Sequence, residues 1–423
     1  MQNASVNVRI DGPRGARARP AVLVLLIGFA AACAGPAVTI PFRSLGPSPS
    51  AGSPPTLAAS EAPLLSPSPT ALASCAQRVL QGMTSAQRIG QLFLLGLADD
   101  RLGLAERDAI RDEHVGSVWF TTQTSIGVAG VRAVADAVQA QAAGGSTAGV
   151  GFFVAANQEG GRIQALAGPG FSTIPTALVQ GARPADALAS DAAAWGSQLR
   201  AAGVNLDFAP VADVVPPGGD AGNEPIGVLE REYGHDPLTV GSHAAAFVTG
   251  MADAGVATTA KHFPGLGRVV GNTDVTAGVV DAVTTATDPS LASFRAPIAA
   301  GAPFVMVALA TYTRIDPGHL AAFSPRVIGG LLRGDLGFRG VVMSDDLGET
   351  AAVAAIPPGE RALEFLLAGG DLIVSRSAAA TAAMVAELQA RAEIDPAVAA
   401  RVDDAALRVL RAKEAAGLPP CHG

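Results

Sequence analysis

Eight short apolar runs recur between residues 92 and 377, and most are followed by a polar loop and a helical stretch. Each run is continuously apolar rather than alternating, a pattern typical of parallel strands that are covered on both faces. Helical periodicity is clear at 237–254 and 378–393. The eight runs lie at 92–98, 116–122, 152–158, 204–210, 257–264, 304–311, 340–346 and 371–377.

Eight strand–helix units predict an α/β fold, a (β/α)8 barrel that forms a single domain over residues 75–421. Long loops would account for the excess over the roughly 250 residues of a simple barrel. The alternative is a doubly wound open sheet. Such a sheet usually carries a glycine-rich dinucleotide turn after an early strand, and the sequence has no such turn.

Polar and charged residues stand at the ends of four of these runs. Because barrel active sites are built at the carboxyl ends of the strands, we expect these residues to meet at one mouth. They are Asn157, Gln158, Glu159, Asp207, Lys261, His262, Ser344, Asp345 and Asp346.

Residues 1–32 have the order of a secretory signal. Four arginines precede the apolar stretch 21–33, which is shorter than the roughly 20 residues that span a bilayer. Small residues at 30–32 end at Cys33, as in a bacterial lipobox, which predicts lipidation of that cysteine. A plainly cleaved signal and an uncleaved anchor are the alternatives. We expect an exported protein, lipid-anchored to the outer face of the cytoplasmic membrane of a bacterium.

Residues 33–74 are rich in proline and serine and show no apolar periodicity, which predicts an extended tether. The other two cysteines, Cys75 and Cys421, stand at the two borders of the predicted barrel. In an exported protein they could form a disulfide that joins the ends of the domain. Two free buried thiols are the alternative.

Charge and composition argue against several classes of partner. The net charge of −8, which becomes −11 once residues 1–32 are removed, offers no basic surface for nucleic acid. The six histidines are scattered and no paired-cysteine spacing occurs, so we expect no metal site and no cofactor. We expect a monomer. Only two of the 29 basic residues are lysines, Lys261 and Lys413, which draws attention to a lysine inside a motif.

Four segments, in this order and spacing, resemble the single-barrel β-N-acetylhexosaminidases of glycoside hydrolase family 3. The resemblance covers essentially all of residues 80–415. That family acts on cell-wall fragments that contain N-acetylglucosamine, so the resemblance implies a cell-wall saccharide as substrate. The segments are AANQEGGRIQAL (155–166), NLDFAPVADV (205–214), KHFPGLGRVVGNTD (261–274) and VVMSDDL (341–347).

The resemblance implies roles for individual residues. Asp345, the first aspartate of the SDD sequence, would be the nucleophile of a retaining hydrolysis that passes through a covalent glycosyl-aspartate. Asp346 points to the other side of an extended chain and is expected to cap the next turn. Lys261 and His262 would bind sugar hydroxyls. A capping role for Asp345 and a structural lysine–carboxylate bridge for Lys261 are the alternatives.

Three further residues are candidate substrate contacts. Arg231 lies in a segment that resembles the family's arginine-serine-aromatic-glycine sequence, with Glu232 here in place of serine and a longer loop before it. The alternative for Arg231 is a solvated loop residue. Asn157 stands where the family commonly has aspartate, and Arg162 follows in the same segment. Glu159 is expected to be structural, because the turn would occupy its side chain.

The loop at 265–278 departs from the family. Related enzymes carry Asp-x-His there, and the histidine serves as the acid/base; here Asp274 is present but Thr276 replaces the histidine. Threonine cannot do this chemistry near neutral pH. Two interpretations stay open. Asp274 is itself the acid/base with a raised pKa, or protonation is weak and only activated substrates are cleaved well.

The sequence therefore predicts a glycosidase that removes β-linked N-acetylglucosamine from peptidoglycan-derived material. A carbohydrate-binding lipoprotein with weak or no catalysis is one alternative, because the catalytic histidine is missing. A glycoside phosphorylase on the same scaffold is another.

Overall fold

The computed structural model describes residues 73–418 and residue 420. The predicted signal peptide with Cys33, nearly all of the predicted tether, and Cys421 lie outside the described residues. Cys75 is disulfide-bonded, and its pairing with Cys421 stays a prediction. Within residues 73–418, no helix has both the length and the apolar character that crossing a membrane requires.

Eight parallel strands form the centre of the described chain, and each of the eight predicted runs contains one of them. Four shorter strands lie in the loops between them. The strands are β1 Phe93–Leu97, β2 Ser117–Phe120, β3 Phe153–Ala156, β4 Gln158–Gly160, β5 Ile163–Gln164, β6 Leu206–Asp207, β7 Ala257–Phe263, β8 Val280–Asp281, β9 Phe304–Val307, β10 Thr311–Tyr312, β11 Val341–Ser344 and β12 Ile373–Ser375.

The eight-stranded sheet closes into a barrel. Its strand order is β11-β9-β7-β6-β3-β2-β1-β12, with every neighbouring pair parallel. A parallel bridge between Met343 and Leu372 joins the two end strands, and the Ser344 amide donates to the Leu372 carbonyl oxygen at 3.0 Å. The predicted (β/α)8 barrel is therefore confirmed, and the doubly wound open sheet is excluded.

Helices surround the barrel. The two helices predicted from periodicity are present at Pro237–Asp253 and Ala378–Ile394. A π-helix, Arg326–Asp335, precedes β11. The α-helices are α1 Cys75–Gly82, α2 Ser85–Gly90, α3 Leu104–Asp112, α4 Gly127–Gln139, α5 Ala177–Gly181, α6 Ala185–Ala201, α7 Pro237–Asp253, α8 Ala292–Ala299, α9 Pro358–Ala368, α10 Ala378–Ile394 and α11 Pro396–Ala415.

Alternate residues of the barrel strands pack inside the barrel, and the residues between them pack against the helices. The inside cluster contains large side chains, so the barrel is filled rather than hollow. Phe153 and Phe304 meet edge to face there with ring centroids 5.3 Å apart. The cluster comprises Leu94, Trp119, Phe153, Ala155, Leu206, Phe208, Phe304, Met306, Val341, Met343, Leu372, Val374 and Val409.

A buried lysine of α11 lies at the amino-terminal end of the barrel strands. The Lys413 ammonium donates to the Gln91 side-chain oxygen at 2.7 Å and to the Gly116 carbonyl oxygen at 2.6 Å. Burial lowers the pKa of Lys413 to about 7. These contacts tie the last helix to the segments that enter β1 and β2.

A buried aspartate with three arginines joins β12 to the outer helices. The carboxylate of Asp371 accepts from Arg333 at 2.5 Å, Arg401 at 2.9 Å and Arg408 at 3.3 Å, and also from the Val342 amide at 2.9 Å. Removing one partner from a buried ion pair leaves uncompensated charge, which is strongly destabilising.

We expect Asp371→Ala to lower the free energy of unfolding by about 3–5 kcal/mol, because three arginines lose their shared partner. Urea unfolding at pH 7 measures the change. Asp403→Ala is the matched control: Asp403 pairs with Arg88 at 3.0 Å but is 44% exposed, and its loss should cost no more than about 1 kcal/mol. Equal effects of the two substitutions would contradict the structural role of Asp371.

Candidate active site

A cavity of about 300 Å³ opens at the carboxyl ends of the barrel strands. The apolar side chains of Trp119, Phe208 and Met306 form part of its wall. The wall also contains all seven residues predicted from the sequence to contact or react with substrate. These are Asn157, Arg162, Arg231, Lys261, His262, Asp274 and Asp345.

A buried carboxylate, Glu159 on β4, holds two of the cations that line this cavity. Its two oxygens accept from Arg231 at 2.8 and 2.7 Å, and the Lys261 ammonium lies 2.6 Å from one of them. Arg231 also donates to the Pro225 carbonyl oxygen at 2.8 Å. Arg231 is therefore not a solvated loop residue, and Glu159 is occupied by two cations rather than by its turn.

The charges in this group act on one another strongly because they are buried. Burial alone would raise the pKa of Glu159, but the charges and hydrogen bonds of Arg231 and Lys261 outweigh it and lower the pKa to about 2. Burial lowers the pKa of Lys261, and the Glu159 charge opposes that effect. Glu159 therefore stays a carboxylate at any physiological pH.

Lys261 is at once a structural partner and a cavity residue. Besides Glu159, its ammonium donates to the Asn157 side-chain oxygen at 2.7 Å. The alternative, a lysine–carboxylate bridge, is therefore present, and the sugar contact of the same side chain stays a prediction. Glu159 and Asn157 hold the lysine ammonium in place at the cavity wall.

The neighbouring His262 is oriented by a buried aspartate, Asp213. Its Nδ1 lies 2.7 Å from a carboxylate oxygen of Asp213, which also accepts from the backbone amides of His262 at 3.2 Å and Leu266 at 2.7 Å. Because a carboxylate only accepts, Nδ1 carries the proton, and Nε2 is the nitrogen left for a ligand. Asp213 fixes the ring as well as the start of the following loop.

The paired aspartates after β11 have different environments. Asp345 is half-buried and lines the cavity, and its side-chain oxygen accepts from the Asp346 amide at 2.8 Å. Asp346 accepts from the amides of Gly348 at 2.8 Å and Arg376 at 2.9 Å, as the capping prediction required. A capping role is therefore filled by Asp346, which leaves the Asp345 carboxylate available to the cavity.

The loop between β7 and β8, which carries Asp274, is anchored on two sides. Asn223 donates to the carbonyl oxygens of Leu266 at 2.7 Å and Val269 at 2.8 Å. On the other side, the Ala351 amide donates to the Asp274 carbonyl oxygen at 3.0 Å. Both contacts place the loop over the cavity mouth.

Asp274 is the titratable group of that loop. Partial desolvation raises its pKa, and the charge of Asp345 raises it further, while Arg231 and His262 oppose the shift. Asp274 and Thr276, two residues on, are both exposed, but only Asp274 is part of the cavity wall. A carboxyl group that keeps its proton to a higher pH stands where the family carries an aspartate–histidine pair.

Two residues on or beneath the wall were not singled out from the sequence. Asp213 lies three residues beyond the fourth apolar run, whereas Arg376 lies inside the end of the eighth, where its guanidinium is 5.4 Å from the Trp119 ring centroid. The rule that chemistry stands at strand ends, applied to every run, would have found Arg376 but not Asp213. Arg162 is exposed at the cavity, and its carbonyl oxygen accepts from Gln123 at 3.0 Å.

The described cavity wall carries no group of three histidine, cysteine or acidic side chains close enough to share a metal ion. In residues 73–418, one such group lies elsewhere, at Asp220, Glu232 and His235.

We expect Glu159→Gln to destabilise the protein by about 3–5 kcal/mol at pH 7, because Arg231 and Lys261 lose their shared carboxylate. The ordinary pKa of this group is 4.5 and the folded value is about 2. Its stabilising contribution, about 3 kcal/mol, is therefore complete above pH 4.5 and disappears as the pH falls towards 2.

Urea unfolding between pH 7 and 3 tests this, because the difference between wild type and Glu159→Gln should shrink as the pH falls below 4.5. Glu224→Gln, at an exposed position, serves as the control and should leave the pH dependence unchanged. A difference that stays constant with pH would refute the assignment.

Residues 84–412 match the Glycosyl hydrolase family 3 N terminal domain. The chain is 36% identical over 299 residues to a beta-hexosaminidase of Stenotrophomonas maltophilia (strain K279a), with 67% of this chain and 82% of the relative covered. A solved β-N-acetylhexosaminidase from Beutenbergia cavernae DSM 12333 superposes with a TM-score of 0.77 at 49% identity, covering 78% of this chain and 99% of that one.

A family 3 β-N-acetylglucosaminidase from Paenibacillus sp. str. FPU-7 has a TM-score of 0.71 at 30% identity, over 81% of this chain and 64% of that one. The barrel, the polar strand ends and these relatives agree: the chain belongs to glycosyl hydrolase family 3 and is a glycosidase.

Proposed function

We propose that this protein removes β-linked N-acetylglucosamine from peptidoglycan-derived saccharides through a covalent intermediate on Asp345. The observation that carries the proposal is the meeting of Asp345 and Asp274 at one cavity, with Asp346 taking the capping role. The relatives, a beta-hexosaminidase and a β-N-acetylhexosaminidase, support the choice of sugar.

In the first step the Asp345 carboxylate attacks the anomeric carbon as the glycosidic bond breaks, and Asp274 gives its proton to the leaving oxygen. In the second step water attacks the glycosyl-aspartate, Asp274 takes a proton from that water, and Asp345 is released. The two carboxyl groups need opposite protonation states at the start, and the raised pKa of Asp274 supports this division.

The cationic and amide groups of the wall would bind the sugar. Lys261 and Arg231 present donors that Glu159 holds in place, and His262 presents Nε2. Asn157 accepts from Lys261 and can donate through its amide nitrogen. Groups that are fixed before substrate arrives lose little entropy on binding, which favours the transition state.

We also propose that the enzyme is exported and works as a lipid-anchored monomer. The basic, apolar and small residues that lead to Cys33, followed by the proline- and serine-rich residues 33–74, support this placement. The tether would let the barrel reach cell-wall saccharides from the membrane surface. Recognition must be local, because a net charge of −11 gives no general attraction to anionic polymers.

We expect Asp345→Ala to lower kcat for a nitrophenyl N-acetylglucosaminide by about 10⁴-fold or more, because no covalent intermediate forms. A fluorinated sugar that keeps the 2-acetamido group and carries an activated leaving group should label Asp345 in the wild type, as mass spectrometry of peptides would show. Glu349→Gln, at an exposed position on the same loop, is the control and should keep wild-type turnover.

Unchanged turnover in Asp345→Ala would falsify the nucleophile assignment. Binding of N-acetylglucosamine by the wild type without turnover of any aryl glycoside would point instead to a carbohydrate-binding protein. Faster cleavage when phosphate is supplied would identify a phosphorylase.

We expect the kcat for a poor leaving group to fall as the pH rises through the raised pKa of Asp274, because the acid must be protonated. Asp274→Asn should remove this basic limb and lower kcat by about 10²–10⁴-fold, with a smaller loss for an activated aryl leaving group. pH–rate profiles of both substrates measure this. A basic limb that persists in Asp274→Asn would show that another group is the acid.

A further inference from the structure

The segment that carries Arg231 holds a second group of titratable side chains, away from the cavity wall. Glu232 is fully buried, whereas the side chains of Asp220 and His235 are 41% and 34% exposed. One nitrogen or oxygen atom of each residue lies within 4.8 Å of the others. We call these three residues the Glu232 group.

The buried carboxylate of Glu232 lacks the partners that such a group normally has. Neither of its oxygens accepts a hydrogen bond from a donor in the described residues, and Oδ1 of Asp220 is likewise buried without one. A carboxylate without donors is costly to bury, so native proteins pair it with a cation, a donor or a proton. Burial raises the pKa of Glu232 to about 7; the charge of Asp220 adds to this shift and the charge of His235 opposes it.

We propose that Asp220, Glu232 and His235 bind one divalent transition-metal ion, in first place Zn²⁺. Two carboxylates and one imidazole are a donor set that suits zinc, whereas calcium and magnesium prefer oxygen ligands alone. Zinc ligands in a tetrahedral site lie about 3.3 Å apart, so side-chain rotations would need to close the present spacing of at most 4.8 Å by up to about 1.5 Å.

The surroundings allow an ion to reach this place. Glu232 forms the buried base, while Asp220 and His235 face solvent on the open side, where water can supply the remaining ligand. Nδ1 of His235 lies 3.6 Å from an oxygen of Asp220 and donates to the Val215 carbonyl oxygen at 3.2 Å, so coordination through Nδ1 would replace that hydrogen bond. Coordination requires the lone pair of the neutral ring and two carboxylates, so binding releases any proton held by these three side chains.

The ion would tie together the loop that follows β6. Asp220 lies on a short helical turn in that loop, and Glu232 directly follows Arg231, whose guanidinium holds Glu159. Joining Asp220 to Glu232 and His235 fixes the backbone on both sides of Arg231. The site is therefore structural, with Arg231 as the cavity residue that it positions.

The competing account is a proton shared between Glu232 and Asp220. A shared proton would satisfy one oxygen of each carboxyl group. The shared-proton account and the metal account make opposite predictions for the stability of Glu232→Gln. If the two carboxyl groups share a proton, the glutamine amide replaces that proton as the donor and stabilises the protein. If they bind a metal ion, the same substitution removes one of its ligands.

The test uses the purified full chain after treatment with a chelator and dialysis. Titration with ZnCl₂, followed by calorimetry and by elemental analysis after gel filtration, should show one bound equivalent that Glu232→Gln and His235→Ala weaken at least about 10-fold. Zinc at about 100 times its Kd should raise the Tm of the wild type by about 5 °C and leave both variants unshifted. CaCl₂ at the same concentration should have no effect.

Glu230→Gln is the matched control, because Glu230 is exposed on the same segment, and it should keep wild-type zinc binding. Zinc binding that survives in both Glu232→Gln and His235→Ala would overturn the proposal, as would a wild type that binds no zinc. A higher Tm for metal-free Glu232→Gln than for metal-free wild type would establish the shared proton instead. If Glu232→Gln fails to fold, the half-exposed His235→Ala still decides between these outcomes.

Discussion

The cavity depends on one buried carboxylate, Glu159, which neutralises two cations from separate parts of the chain. Lys261 lies near the end of β7 and Arg231 comes from the loop after β6, so Glu159 joins three segments at the mouth of the barrel. Burying either cation alone would cost several kcal/mol, and the bidentate geometry with Arg231 offsets much of that cost. The same interaction that stabilises the mouth also holds the donors that face the cavity in fixed positions, so a change at Glu159 alters both the stability of the mouth and the shape of the cavity.

The two carboxyl groups of the proposed mechanism, Asp345 and Asp274, are held in position by different parts of the structure. Asp345 follows a barrel strand directly, and its position is set by the sheet and by the hydrogen bonds of Asp346. Asp274 belongs to a loop whose place is set by contacts from Asn223 and from the Ala351 amide. Substitutions in the neighbouring loops should therefore affect proton transfer by Asp274 more than nucleophilic attack by Asp345. Leaving-group preference could then change in related sequences while the barrel stays the same.

The barrel could be predicted from the sequence because a parallel strand buried on both faces is apolar throughout, and eight such runs are hard to arrange otherwise. The same logic placed Asp345 and Lys261 at one mouth. The partners of Glu159 could not be predicted, because Arg231 follows it by 72 residues in a loop without periodicity. Asp213 was missed because it lies three residues beyond the fourth apolar run, and no spacing rule encodes its contact with His262. The Glu232 group was missed for a related reason: its ligands stand at irregular spacing.

Both lysines of the chain are buried, Lys261 under the cavity and Lys413 at the opposite end of the barrel. Arginine supplies the exposed positive charge, so reagents that acylate lysine amines find no reactive group on the folded barrel. Lysine acylation would then report on opening of the domain: modification of Lys413 would mark detachment of α11, and modification of Lys261 would mark loss of the Glu159 ion pairs. Because lysine is rare in this chain, acylation of Lys261 and of Lys413 would report separately on opening at the two ends of the barrel.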